Sequence, residues 1–429
     1  MKYLPISKQL FVKNREQFRN KIDDNDIAVF NSNDIMPTNA DGTMPFKQNS
    51  DLFWLSGVDQ EESILIIAPK HPDKNMREVL FLKETNKNIA IWEGAKLSKD
   101  DAFHVSGIKT VYWLHQFNEK LNQIIAKSDA IYLNKNMHSR SDSKVQTRDD
   151  RFRLLINDRF PNKKIKEVAP IMHELRVVKS KLEIQLMQKA CDITEKGLRR
   201  ILPFIKPGIM EYEIEAELIH EFLINRSNGF AYQPIIGSGI NSCVLHYINN
   251  NQECNDGDIL LMDFGAEYAN YASDLTRTIP VNGRFSKRQK EVYNSVLHVM
   301  KEATKMLVPG TSFTNYNKEV GRIMELELIK LNLLDKHDVQ KQDSKNPLYK
   351  KYFMHGTSHY LGLDVHDVGS QNWGMKEGMV FTCEPGIYIL EESLGVRLEN
   401  DILVTKDGPD DLMKNIPIEL EEIESLMNQ

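Results

Sequence analysis

The segment Phe353–Asp367 holds three of the chain's twelve histidines, His355, His359 and His366. Glycines and apolar residues surround them, so the segment does not have the composition of a solvated polar surface. Imidazoles clustered in an apolar setting are typical of metal ligation or proton transfer. The segment is therefore the first candidate for chemistry, and carboxylates elsewhere in the chain must show which kind.

One pair of acids accompanies a strongly apolar stretch earlier in the chain. Residues 259–264 predict a strand with Asp263 close to its end, on the same face as Ile259 and Leu261. A carboxylate on a core-facing position is costly unless it is paired, protonated or metal-bound. Asp274 follows eleven positions later, after a second predicted strand at 267–272. A hairpin of this length would bring the two acids together.

A second pair repeats this design. The predicted strand at 379–383 ends in Glu384, Pro385-Gly386 supplies a turn, and Glu399 lies fifteen positions beyond Glu384 on the return segment. Four carboxylates and one imidazole are the donors needed by two divalent ions about 3.5 to 4 Å apart. The two acid pairs with a histidine cluster between them therefore indicate a dinuclear metal site.

Other catalytic motifs are absent or incomplete. His355 and His359 have the spacing of the HExxH zinc motif, but Gly356 stands where the glutamate belongs. Gly237-Ser238-Gly239 begins a GxGxxG pattern that Ser242 breaks, and there is no Walker or GxSxG motif. Cys383 alternates to the strand face opposite Glu384, which favours core packing over a nucleophilic role.

Composition limits the classes of protein that the chain can be. Its 429 residues suggest two domains or three, and 41% hydrophobic with 27% charged residues is ordinary for a globular protein. A net charge of -6 and a pI near 6.1 argue against a nucleic-acid binder. No apolar run approaches the roughly 18 to 20 residues of a membrane span, and no secretory signal is visible. Four irregularly spaced cysteines predict a reduced, cytoplasmic setting.

Apolar periodicity predicts two domains. Residues 1–172 alternate helical and strand patterns, which indicates a mixed α/β domain with a sheet covered by helices. One of its predicted strands is 88–92, and Asn49-Ser50-Asp51 is either a turn or part of a substrate rim. Residues 173–429 show two helices, strands, two helices and strands again, which suggests an internal duplication. We expect a loop at 336–351 and a closing amphipathic helix at 416–427.

Taken together, these motifs resemble the pita-bread metallopeptidases, and among them aminopeptidase P. The resemblance covers almost the whole chain. It is carried by these segments: Gln48–Asp51, Gly237–Gly239, Leu245–Tyr247, Leu261–Gly265, Ser273–Thr278, His355–His359, Asp364–Gly369, Glu384–Gly386 and Arg397–Glu399. It implies an α/β (α+β) chain, in which the α/β domain precedes a pita-bread fold, a curved antiparallel sheet with flanking helices and an internal pseudo-duplication.

The resemblance also implies a role for each candidate residue. The ligands of two divalent ions, Mn2+ in most such enzymes, would be Asp263, Asp274, His359, Glu384 and Glu399, with Asp274 and Glu399 bridging. His355, His366 and His246 would face the substrate. Arg397 and Tyr388 would hold the ligand carboxylates, and Trp92 is similar to an aromatic that reaches a neighbouring subunit's site.

The implied activity is removal of the first residue from peptides that carry proline second. A hydroxide bridging the metals would attack the carbonyl before proline, Glu384 would move the proton, and His355 or His366 would stabilise the oxyanion. A homodimer or homotetramer is implied, without nucleic acid or membrane as a partner.

Three rival activities are weighed on the same residues. Prolidase, which cleaves Xaa-Pro dipeptides with the same ligands, is the nearest alternative, although no proline precedes His355. A methionine aminopeptidase would not need the first domain, and a creatinase-like or non-catalytic relative would be expected to lack ligands. Three features depart from close bacterial members: the segment between Tyr388 and Arg397 is short, and Thr357 and Tyr360 replace leucine and another aromatic. The shape of the substrate rim is therefore not predicted.

Overall fold

The computed structural model describes residues 2–429, which form two compact units. Tyr3–Arg176 make up the first unit, and Val177–Gln429 make up the second together with Lys2. Within residues 2–429, no helix is both long enough and apolar enough to cross a lipid bilayer.

The first unit is built on a six-stranded mixed sheet. Its strands are β1 (Ile27–Asn31), β2 (Ile64–Ile67), β3 (Glu78–Leu82), β4 (Thr110–Trp113), β5 (Ala130–Leu133) and β6 (Lys164–Glu167), in the order β4-β3-β2-β1-β5-β6. Its helices are α1 (Lys8–Arg19), α2 (Ser50–Ser56), α3 (Lys87–Glu93), α4 (Lys99–Ser106), α5 (Phe117–Ile125), α6 (Arg148–Arg159) and α7 (Ala169–Arg176). Strand β1 runs antiparallel to β2 and parallel to β5. This is the mixed α/β architecture predicted from the sequence.

The core of this unit forms because apolar residues from the sheet meet one face of a helix. Phe117, Leu121 and Ile124 of α5 pack with β-strand residues such as Val29 and Phe81, and all are buried. Fully burying a side chain of this size stabilises the fold by about 1.5 to 3 kcal/mol. The spacing of three and four residues along α5 is what places these side chains on one face.

Two local expectations in the first unit are decided by helix caps. The predicted strand at 88–92 is wrong, because Asn86 accepts hydrogen bonds from the N–H groups of Asn88 and Ile89 and so begins α3. Trp92 is 89% exposed on this helix. Asn49 caps α2 in the same way, so the segment at 49–51 is the capping turn of a helix.

The second unit begins with two helices that the sequence predicted. Its helices are α8 (Lys181–Ile201), α9 (Glu211–Ile224), α10 (Lys287–Lys305), α11 (Phe313–Lys330), α12 (Lys336–Lys341) and α13 (Leu420–Met427). The expected loop at 336–351 is partly wrong, because Asp335 accepts hydrogen bonds from two N–H groups and begins α12. The closing helix α13 starts at Leu420 and not at 416.

The strands of the second unit fall into short antiparallel groups. They are β7 (Gly229–Phe230), β8 (Ile235–Ser238), β9 (Ile259–Phe264), β10 (Ala266–Tyr268), β11 (Tyr271–Ala272), β12 (Leu275–Pro280), β13 (Val380–Cys383), β14 (Gly386–Ile389), β15 (Leu394–Arg397), β16 (Asn400–Thr405) and β17 (Gly408–Asp411). Strand β9 pairs with β8 and β12, and β16 pairs with β13 and β17.

The predicted hairpins are present in nested form. The partner of β9 is β12 and not the segment at 267–272, which instead forms the ribbon β10–β11. Ala269 and Asn270 make the two-residue turn of this ribbon with positive φ. In the second half, β13 pairs with β16, and β14–β15 form the inner ribbon. The same order of outer strand, inner ribbon and outer strand occurs twice, as the internal duplication predicts.

The two halves are joined where their acids lie. Thr276 of β12 forms an isolated β-bridge with Glu399, and the Glu399 N–H donates to the Thr276 carbonyl at 3.1 Å. Arg277 is fully buried, and its guanidinium donates to the carbonyls of Glu399 and Pro417 at 2.8 and 2.7 Å. These bonds fix the backbone of the second half against the first.

Candidate active site

The register of β9 and β12 brings the first two acids together. Asp263 lies opposite Thr276, two residues beyond Asp274. Gly265 permits this approach, because a Cβ there would lie 1.8 Å from the Ser273 carbonyl oxygen. Any larger residue would push the two acid-bearing segments apart.

A tyrosine that the sequence analysis did not identify joins the same two acids. The Tyr232 hydroxyl lies 2.5 Å from Asp263 Oδ1 and is also within hydrogen-bond distance of Asp274 Oδ1. It has one proton, so it donates to one of the carboxylates at a time. Tyr232 stands in the short segment between β7 and β8. Tyr232 thus holds Asp263 and Asp274 in register.

The second pair is positioned by threonines. The Thr276 hydroxyl donates to Glu399 Oε2 at 2.7 Å, and the Thr382 hydroxyl lies 3.4 Å from Glu384 Oε1. The Glu384 N–H donates to the Thr357 carbonyl at 2.8 Å, which ties this acid to the histidine segment. Both glutamates therefore face the first pair from the opposite half of the unit.

His359 has one ring nitrogen turned toward the acids. Its Nδ1 lies 3.0 Å from the Tyr360 carbonyl, which makes Nδ1 the hydrogen-bond donor and leaves a lone pair on Nε2. Nε2 lies 3.4 Å from Asp274 Oδ2 and 3.6 Å from Glu384 Oε1. A backbone carbonyl holding the second ring nitrogen is the arrangement usual for metal-binding histidines.

The raised pKa values of the clustered carboxyl groups indicate that a bound cation would stabilise their charged forms. Burial, with the neighbouring carboxylates, raises the pKa of Asp274 and of Glu399 well above the usual value, and burial raises the pKa of Glu384 to about 7. Asp274, His359 and Glu399 each offer one ligand atom within 4.8 Å of the others. The charges of Asp274, Glu384 and Glu399 would repel one another in this small buried space, so the donor set fits divalent metal ions.

A chain of hydrogen bonds leads from the acids to His355. Arg397 donates to Asp263 Oδ2 at 2.6 Å and to the Tyr388 hydroxyl at 2.9 Å. The Tyr388 hydroxyl lies 2.8 Å from His355 Nε2, and His355 Nδ1 lies 2.8 Å from the Gly356 carbonyl. Burial, assisted by the charge of Arg397, lowers the pKa of His355 to about 3. His355 is therefore neutral, and its Nε2 accepts a hydrogen bond from the Tyr388 hydroxyl.

The other two predicted histidines differ in their surroundings. The ring of His366 meets that of His359 edge to face, with centroids 4.4 Å apart. His246 is exposed, on the segment between β8 and β9, and it is close enough to contribute to the lowered pKa of His355. Trp92, by contrast, belongs to the first unit.

A further acid supports the cluster from behind. Asp401 is fully buried, and its Oδ2 accepts the backbone N–H of Asp274 at 3.1 Å and the Cys191 thiol at 3.4 Å. Asp401 comes two positions after Glu399, so the two side chains lie on the same face of the strand. That alternation was the one sequence signal that could have identified it.

Replacing Tyr232 tests whether it organises the cluster. Tyr232→Phe removes the hydroxyl while keeping the ring, so Asp263 and Asp274 lose their shared hydrogen bond. Partners behind a ligand typically contribute 10- to 100-fold to metal affinity. We expect a metal titration to give weaker binding by roughly that factor. Tyr212→Phe, at an exposed tyrosine on α9, is the matched control.

Comparison with known proteins gives matches over nearly the whole chain. Residues 185–406 match the model of metallopeptidase family M24, and residues 11–132 match that of the aminopeptidase P N-terminal domain. Xaa-Pro aminopeptidase of Escherichia coli K12 is 34% identical, over 98% of each chain, and that of Haemophilus influenzae is 36% identical, over 91% of this chain and 90% of its own. Among solved structures, zinc-substituted E. coli aminopeptidase P in complex with product aligns with a TM-score of 0.87 and 33% identity, over 99% of each chain.

Proposed function

Since the chain belongs to metallopeptidase family M24, we propose that it is a proline-specific aminopeptidase that releases the first residue from Xaa-Pro peptides. The observation that carries this proposal is the convergence of His359 with four acids from two nested hairpins, Asp263, Asp274, Glu384 and Glu399. The full-length similarity to Xaa-Pro aminopeptidases supports the choice of substrate.

These five side chains would hold two divalent ions, for which we propose Mn2+. Oxygen donors with a single imidazole suit a hard or borderline cation such as Mn2+. Two such ions, when bound, lower the pKa of a water so that hydroxide is available near neutral pH. Asp274 and Glu399 would be among the residues that hold these ions, since one ligand atom of each lies within 4.8 Å of one on the other and of one on His359.

The protein's own groups would then manage protons and charge. Glu384 would accept a proton from the attacking water and carry it to the leaving nitrogen. Proline's nitrogen has no hydrogen before cleavage, so the site need not accept a hydrogen bond from it but must protonate it as it leaves.

We propose that His355 or His366 stabilises the oxyanion, and the hydrogen bonds of His355 limit the part that it can take. His355 Nε2 already accepts the Tyr388 hydroxyl, and its Nδ1–H is directed at the Gly356 carbonyl. Neither nitrogen of His355 can donate to a developing charge without breaking one of these bonds. We propose that His355 and Tyr388 line the site, that Arg397 holds Asp263, and that His246 contacts the substrate.

A panel of peptides tests the activity. With Mn2+ supplied, Xaa-Pro-Yaa peptides should lose only their first residue, whereas Xaa-Ala-Yaa controls should react at least about 100-fold more slowly, because discrimination by a shaped site reaches this size. Product analysis by mass spectrometry measures both. Cleavage confined to Xaa-Pro dipeptides would contradict the proposal and indicate prolidase. Parallel reconstitution with Zn2+ and Co2+ tests the choice of metal.

Two properties of the whole protein complete the proposal. We propose a cytoplasmic location, supported by the few, irregularly spaced cysteines, all four of which are free. We also propose a homodimer or homotetramer, in which Trp92 reaches the site of a neighbouring subunit. Light scattering of the purified protein measures its mass, and a Trp92→Ala variant tests the contribution of the side chain to KM.

A further inference from the structure

The segment 244–253 presents His246 between two anchored neighbours. His246 is exposed, whereas Tyr247 on one side is buried and Leu245 on the other is half-buried. Tyr247 packs in a cluster with Ile235, Leu261 and Tyr388. The backbone on both sides of His246 is thus held against the strand that carries Asp263 and against the tyrosine that contacts His355.

One carboxylate ties three parts of this region together. Glu211 is the first residue of α9 and is fully buried. Its Oε1 accepts the Ser238 N–H at 2.8 Å, and its Oε2 accepts the Tyr247 hydroxyl at 2.8 Å and the Gln252 N–H at 2.9 Å. Ser238 precedes the His246 segment, Tyr247 follows His246 directly, and Gln252 lies near the segment's end.

The three partners that hold the carboxyl group of Glu211 are all neutral donors. The group also lies at the N-terminal end of α9, where backbone N–H groups are directed outward. Removing one partner of such a buried network leaves other groups unsatisfied. Both oxygens of this one side chain therefore contribute to the geometry of the segment.

A second side chain reinforces the far end of the segment. Asn250 has a φ of +45°, and its Oδ1 accepts the Ile236 N–H at 2.9 Å. Its Nδ2 donates to the Pro234 carbonyl at 3.0 Å. Asn tolerates this left-handed backbone better than most residues. Asn250 therefore fixes the C-terminal end of the segment, whereas Glu211 and Tyr247 fix the part that contains His246.

We propose that Glu211 is a positioning residue of the active site, which orients His246 toward the substrate through the Tyr247 hydroxyl. The proposal rests on the role given to His246 under the proposed function. Glu211 itself does not touch the substrate. Its contribution is to reduce the conformations that the His246 segment can adopt before the peptide binds.

A double-mutant cycle tests the proposal on the full-length, metal-loaded enzyme. Glu211→Gln keeps the size of the side chain but replaces one acceptor oxygen with an amide, and Tyr247→Phe removes only the hydroxyl. Each is combined with His246→Ala, and kcat and KM are measured on an Xaa-Pro-Yaa peptide. Glu424→Gln is the matched control, because Glu424 is also a buried glutamate that accepts a backbone N–H, from Phe285 at 3.0 Å.

We expect Glu211→Gln to lower kcat/KM by about tenfold, in keeping with the cost of a misplaced site residue, and Tyr247→Phe to act in the same direction. In the His246→Ala background the same changes should cost less than about twofold, since coupled residues are not additive. Metal content should stay at the level of the parent enzyme. Hydrogen exchange should speed up in 244–253, and Glu424→Gln should change neither kinetics nor exchange there.

Three results would overturn the proposal. One is an unchanged kcat/KM in both Glu211→Gln and Tyr247→Phe while His246→Ala is impaired. Another is a loss that adds in full to that of His246→Ala, which would indicate a structural effect unrelated to the histidine. The third is a His246→Ala enzyme as active as the parent. This result refutes the role of His246 itself, and cleavage of Xaa-Pro-Yaa by that enzyme would show that the proposed activity stands without it.

Discussion

Glu384→Gln is expected to lower kcat by about three orders of magnitude, within the 10²- to 10⁴-fold range of a lost general acid–base group. Glutamine keeps an oxygen that can face a cation, but it cannot accept a proton from water and release it to the leaving nitrogen. Turnover of an Xaa-Pro-Yaa peptide at saturating substrate measures the loss. KM should change far less than kcat, because the interaction removed belongs to the transition state.

Metal content decides how this result is interpreted. Glu384 is also a proposed ligand, so part of the loss could arise from weaker metal binding. Assays at rising Mn2+ concentration separate the two causes, because only a binding defect is restored by excess metal. Glu319→Gln on α11, an exposed glutamate paired with Arg322, is the control and should be fully active. A Glu384→Gln enzyme with full metal content and parental turnover would exclude the proposed proton transfer.

The second large effect separates His359 from its two neighbours. His359→Ala removes the imidazole whose Nε2 lies within 3.6 Å of both Asp274 and Glu384. We expect this variant to retain no measurable metal after dialysis and, as a result, to be inactive. His355→Ala and His366→Ala should retain metal and lose rate, by roughly 10- to 100-fold, as is typical of groups that support a site.

Elemental analysis of the three variants, prepared in parallel, measures this difference directly. Equal metal loss in all three would show that the histidines act as a joint ligand set, which the spacing alone also allowed. Full metal retention in His359→Ala would refute its assignment as a ligand. Circular dichroism of each variant verifies that the fold is intact.

The acids could be found from the sequence because their strands are uniformly apolar. A charged residue at the end of 259–264 or of 379–383 contrasts with everything before it, and burial there requires a partner. The pairing partner of the first strand was harder to predict. Residues 267–272 have a strand pattern, but the positive φ at Ala269 and Asn270 folds them into a ribbon of their own.

The residues that support the site do not differ in this way from their neighbours in the sequence. Tyr232 lies in a short irregular segment without periodicity, and it becomes significant only because two acids approach it from other elements. Glu211 looked like one of several acids at the start of an amphipathic helix. Long-range hydrogen bonds connect these residues to the site, and no spacing within the chain encodes such bonds.

Capping explains the other local errors. The apolar residues at 89–92 suggested a strand, yet Asn86 starts a helix whose Ile91 and Trp92 are exposed. Helix α6 was missed because its twelve residues are mostly charged, although Thr147 and Asp150 form a capping box at its start. In both cases polar side chains at the start of the helix outweighed the average hydropathy of the segment.

Because acids crowd the junction of the two hairpins, we expect the steady-state level of the protein in a cell to depend on the supply of divalent metal ions. Without cations, Asp274, Glu384 and Glu399 repel one another across the bonds that join the two halves. A ligand present at about 100 times its Kd adds about 2.7 kcal/mol to the stability of a folded chain. Differences of 1 to 2 kcal/mol change steady-state protein levels several-fold through proteolysis of unfolded chains. Metal starvation would thus lower the amount of the protein as well as its activity per molecule. The activity measured in starved cells would therefore reflect both degradation of the chain and loss of catalysis.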